Sequence, residues 1–143
     1  MPSIWNSENV LEAIVGALDG VHLNNPQGHH FGRPFLTGYQ LAIKVDAAHP
    51  EIRQALGPPN ELGGEGTGVH HSFAQYLARE LSRNIRRHVE ADEWYPVQGR
   101  FLSNEHVTEL RYRDAQGLPR TSSLTGTGFD LALFRLRGID EGA

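Results

Sequence analysis

"SFAQYLARELSRNIRRHVEADEWYPVQGRFL", residues 72–102, holds the point at which the chain changes its grammar. Before Glu90 the apolar side chains recur at helical spacing; after Pro96 they give way to the alternation of strands. Ser72 followed by Gln75 is a capping-box signature, so a helix is predicted from near Phe73 to about Val89. At about 100° per residue, Phe73, Ala74, Leu77, Ala78, Leu81, Ile85 and Val89 fill one arc. Arg79, Arg83, Arg86 and Arg87 fall on the opposite arc.

Downstream, "RFLS", "HVTELRYR" and "FDLALFRLR" are rich in β-branched, aromatic and alternating positions. "RDAQGLPR", residues 113–120, reads as a turn through Gly117 and Pro119. A β-hairpin or three-stranded antiparallel sheet is therefore expected over 97–137. "SNEHVTEL" carries a competing reading, a short helix capped by Ser103.

Upstream, "SENVLEAIVGAL", residues 7–18, predicts a first helix capped by Ser7 or Asn6. Val10, Leu11, Ile14, Val15 and Leu18 mark its buried face, and Gly20 supplies a stop. Residues 20–35 read as a loop. "TGYQLAIKVDAAHPEIRQAL", residues 37–56, reads as two short helices, the first capped by Thr37 and the second opening at Pro50. Residues 57–71 hold five glycines and two prolines and read as a second long loop.

The order gives an α+β domain: three or four helices followed by a C-terminal antiparallel β-hairpin or small sheet. One domain over 1–143 is expected, helical over about 6–91 and β over about 97–138, with the tail 139–143 frayed. A chain of 143 residues can bury a core of its own. It has no cysteine, which excludes disulfide frameworks, thiol catalysis and thiolate zinc sites. "MPSIWNSENV" lacks the basic and apolar regions of a secretory signal, and no apolar window is long enough to span a bilayer. A soluble cytoplasmic protein with no membrane partner is the expectation.

The net charge of −4 is unevenly spread. Residues 1–66 carry three basic groups against seven acids, whereas residues 67–143 carry ten arginines against ten acids. Lys44 is the only lysine, so the cationic chemistry is that of planar, bidentate guanidinium groups. An Arg-rich composition alone would give the same count.

Four constellations can carry function. Ala42 and Ile52 stand ten apart, and Leu41, Val45 and Leu56 are apolar where two helices of a helix-turn-helix would pack. "PEIRQAL" would then be a recognition helix offering Arg53 to guanine and Gln54 to adenine. With the later hairpin as a wing, the order loosely resembles a winged helix. Asp46 stands where the turn usually has glycine, and the region is acidic; a broken core helix is the competing reading.

The arginine arc at Arg79, Arg83, Arg86 and Arg87 can neutralise phosphates. Arg100, Arg111, Arg113, Arg135 and Arg137 would extend the patch. Pairing of Arg83 with Glu80 and of Arg86 with Glu90 would instead make part of it a solvated face.

"GGEGTG", residues 63–68, leads into a capped helix, so Gly64, Gly66, Thr67, Gly68, His70 and His71 are candidates for a loop that cradles an anion. The Gly-Lys-Ser/Thr ending of a nucleotide-binding loop is missing. A second "GTG" stands at 126–128, and both can equally be turns that need glycine.

His22, His29, His30, His49, His70, His71, His88 and His106 could meet Glu65, Glu105 or Asp130 at a metal, but none is paired at helical ligand spacing. No hydrolase or kinase signature is present, and the lysine of a nuclease carboxylate–lysine set is missing. No catalytic residue, metal ligand or cofactor is assigned.

The expectation is a non-enzymatic binding module that contacts DNA or RNA phosphate through the arginine arc. The second reading is a protein–protein accessory or assembly subunit, self-association included, with Trp5, Trp94, Tyr95 and Phe101 as candidate anchors. A metal-dependent enzyme at the histidine and glycine loops ranks third.

Overall fold

A computed structural model describes residues 4–21, 32–57, 62, 72–123 and 131–137. The first helical stretch divides into α1 (Ile4–Ser7) and α2 (Val10–Asp19). Asn9 stands between them at φ 52°, ψ 48°, the left-handed conformation that asparagine tolerates better than most residues and that no right-handed helix can pass through. The N-cap of α2 therefore falls on Asn9, not on the expected Ser7 or Asn6. Gly20 closes α2 at φ −78°, so the stop makes no use of glycine's left-handed freedom.

Residues 36–56 follow the predicted pattern more closely. A two-residue strand, β1 (Leu36–Thr37), leads into α3 (Gly38–Ala48). Thr37 caps α3 with a complete capping box: its Oγ1 accepts the Gln40 N–H at 3.1 Å, and its own N–H donates to Gln40 Oε1 at 2.8 Å. His49, at φ −139° and ψ 68°, breaks the helix, and Pro50 opens α4 (Pro50–Leu56). α5 (Phe73–Glu90) starts where Ser72 Oγ accepts the Gln75 N–H at 3.1 Å.

Four strands follow: β2 (Val97–Leu102), β3 (Glu109–Arg113), β4 (Pro119–Ser123) and β5 (Leu131–Leu136). They form two sheets rather than one. β3 and β4 make a two-stranded antiparallel hairpin, and β5 runs antiparallel between β1 and β2 in the order β1-β5-β2. Phe134 of β5 is registered with Leu36 on one side and Gly99 on the other. The alternative helix at "SNEHVTEL" does not form. Ser103 Oγ accepts the Glu105 N–H at 3.1 Å in a local turn, and β3 begins at Glu109.

The core lies between the helices and the three-stranded sheet. Phe73, Leu77 and Leu81 of α5 meet Val10, Ile14 and Leu18 of α2, Leu41 and Val45 of α3, Ile52 of α4, and Val97 and Phe134 of the sheet. Each large side chain removed from water in this way contributes about 1.5–3 kcal/mol. α3 crosses α5 closely because Gly38 has no side chain: a Cβ there would lie 3.2 Å from the Ala74 carbonyl oxygen. Two positions of the predicted α5 arc depart from expectation. Val89 is 68% exposed, since the last turn of the helix runs past the core. Asn84 is buried in its place and satisfied there, donating to the Glu80 carbonyl oxygen at 2.7 Å. Among the described residues no helix is long and apolar enough to cross a membrane.

Candidate functional site

α5 buries Phe73, Ala74, Leu77, Leu81 and Asn84 and turns its other side to solvent. Arg79, Arg83, Arg86 and Arg87 all stand on that exposed side. Capped at one end by Ser72 and packed along its length on α3 and β2, the helix holds the four guanidinium groups at fixed angular positions.

Their partners are local. Arg83 Nη1 lies 3.5 Å from Glu80 Oε1, and Arg86 Nε donates to Glu90 Oε1 at 2.9 Å. Arg87 Nη2 donates to Asn84 Oδ1 at 2.5 Å. Arg79 makes no hydrogen bond or ion pair with another described residue. Its charge is felt by Tyr76, whose phenol is raised above 10.0 first by burial and then by Glu80, against the lowering pull of Arg79. Arg86–Glu90 is exposed on both sides, and such a pair contributes about 0–1 kcal/mol, so an incoming anion can displace it, whereas Glu80 is largely covered. Four arginines against two glutamates leave α5 a cationic surplus.

The strand arginines do not simply extend this face. Arg135 is built into the fold: its Nε donates to Gln98 Oε1 at 2.7 Å, its Nη1 to the Arg33 carbonyl oxygen at 3.2 Å, and its guanidinium lies 4.7 Å from the centre of the Phe35 ring. Arg111 pairs with Glu109 at 2.9 Å on the separate hairpin. Arg100 is exposed on β2, its Nη1 donating to the Gly99 carbonyl oxygen at 2.8 Å.

Arg53 and Gln54 stand on α4, which packs against α3 and α1. Arg53 Nε donates to Asp46 Oδ1 at 2.9 Å, tying α4 back to α3, while Gln54 is exposed. The link between α3 and α4 is the single residue His49, shorter than the three- or four-residue turn of a helix-turn-helix. Residues 37–56 form two helices broken at His49, with Leu41, Ala42, Val45 and Ile52 in the core.

Gly64, Gly66, Thr67, Gly68, His70 and His71 lie outside the described residues, as do His22, His29, His30 and the glycines at 126 and 128. Of the remaining histidines, His49 Nδ1 lies 3.3 Å from Glu51 Oε1. His88 Nδ1 lies 2.8 Å from the Asn84 carbonyl oxygen, and its ring stands 4.6 Å from that of Tyr95. Among the described residues no group of three or more His, Asp or Glu is placed to hold a metal.

Of the candidate anchors, Trp5 is half-buried at the edge of the core and Tyr95 is buried, whereas Trp94 is 63% and Phe101 72% exposed. Alternation alone marks Val97, Gly99 and Phe101 as one face of β2; their unequal exposure depends on what packs over each position, which no local pattern encodes. No family model, no curated protein and no solved structure matches this chain.

Proposed function

We propose that the chain is a nucleic-acid-binding module that grips phosphates with the exposed arginines of α5. The observation that carries this reading is the arginine arc itself: Arg79, Arg83, Arg86 and Arg87 stand on the solvent side of one helix whose own acids are Glu80 and Glu90. Phosphate contacts of this kind release counterions, so affinity falls steeply with salt. In this reading α5 is laid on the ligand and the antiparallel β2–β5 strands stand beside it.

Fluorescence anisotropy with labelled DNA and RNA, at low and at raised salt, tests the proposal. Binding at low salt that weakens with salt and is lost in the double variant Arg79→Glu/Arg86→Glu is expected. Both side chains are exposed, so the variant should keep its fold by circular dichroism. Unchanged binding in a folded variant would sink the idea.

A protein partner is the second reading. Val89 in the last turn of α5, at 68% exposure, and Trp94 in the segment that follows it, at 63%, favour it. The same arginines would then meet acids of the partner.

A further inference from the structure

We infer that Phe101 is a base-stacking residue and that the nucleic acid held by α5 is single-stranded. The inference rests on the phosphate-binding reading of α5 and adds to it the state of the ligand.

Side chains alternate across a strand, so Val97, Gly99 and Phe101 share one face of β2. That face looks toward α5: a Cβ added at Gly99 would lie 3.4 Å from Ile85 Cδ1. Val97, on the same face, is fully buried, yet Phe101 is 72% exposed. The first two positions are covered and the third is not. Phe101 therefore stands uncovered two residues beyond the point at which β2 meets Ile85. Arg86 lies one step of about 100° further round the helix from Ile85, toward solvent. A strand whose phosphates follow the arginines of α5 can bring a base onto the Phe101 ring.

The chemistry of the ring selects the ligand. A phenyl group has no donor or acceptor with which to read a base edge; what it offers is a flat apolar face. Bases in a duplex have their own faces occupied by their neighbours in the stack, whereas an unpaired base has a face to give. The registered neighbour of Phe101 across the sheet is the small Ala132, which leaves the ring uncovered from that side.

The test compares a short labelled pyrimidine single strand with its duplex, by anisotropy at low salt. The proteins are wild type, Phe101→Ala, Phe101→Leu, Phe101→Trp and Arg79→Glu/Arg86→Glu, each checked for folding by circular dichroism. The expected result is preference for the single strand, weakened about tenfold or more by the alanine and leucine changes and retained by tryptophan. Equal affinity for duplex and single strand overturns the inference. So does an unchanged single-strand affinity in Phe101→Ala, or a loss in alanine that leucine restores, which would make the contact merely apolar. In those three cases, loss of binding in the arginine variant leaves the α5 reading standing. No binding of either nucleic acid overturns both, and self-association abolished by Phe101→Ala would then assign the face to a protein interface.

Discussion

Asp114 holds the turn between β3 and β4 with one side chain. Its Oδ1 accepts the Leu118 N–H at 2.9 Å and the Gln116 N–H at 3.0 Å, and its Oδ2 lies 3.3 Å from Arg120 Nε. The Leu118 bond is the chief cause that lowers its carboxyl below the usual 3.8; burial opposes it, while the Gln116 bond and Arg120 add to it. The folded protein thus keeps this charge to lower pH than the unfolded chain does. The resulting stability is fully present above the unfolded value and is lost as pH falls through the lowered one. Asp114→Asn should melt several degrees below wild type near neutral pH, with the gap closing as pH is taken below 3.8; melts across that range check both halves. Tyr95 presents the opposite case. Its hydroxyl is buried with no hydrogen-bond partner among the described residues, and burial raises its pKa above 10.0 against the pull of Arg87. Removing an unsatisfied hydroxyl leaves stability unchanged or raises it by up to about 1 kcal/mol, so Tyr95→Phe should melt no lower than wild type. A raised phenol favours the fold only while protonated, so wild-type stability is lost as pH climbs through the folded value and Tyr95→Phe loses less.

At the scale of the element, α5 was legible nearly to the residue. A capping serine, a seven-position apolar arc and an opposing run of arginine all point to one period. The break between α3 and α4 was equally legible, because proline forces it locally. The break between α1 and α2 was not, since Asn9 adopts its left-handed angles without a glycine or proline to announce them. β1 was missed for a different reason: two residues carry no period, and Leu36 and Thr37 are a strand only because β5 lies beside them. The pairing of elements also sets their tolerance. Gly38→Val pushes a side chain into the Ala74 carbonyl and Ala78 and should cost about 1–3 kcal/mol in urea unfolding. Ser72→Ala removes the cap of α5 and should cost about 1 kcal/mol.

Across the whole molecule, function depends on which arginines the fold leaves available. The arc of α5 could be read from spacing alone. That Arg135 is consumed in holding Gln98 and the Arg33 carbonyl could not, because those contacts join residues 37 and 102 apart in the chain. The same long reach decides the sheet. β5 is its central strand, bonded to β1 at residues 36–37 and to β2 at residues 97–102, yet it is the last of the described elements in sequence. A ribosome would have to deliver residues 131–136 before Leu36 and Val97 acquire a common neighbour. Until then the helices can form, but the nascent chain keeps an apolar sheet face open, which is the condition under which holding chaperones engage. Closure then waits on non-local pairing, the slow step of folding. A chain stalled before Leu131 should therefore be digested readily by added protease, and one released after Leu136 should resist it.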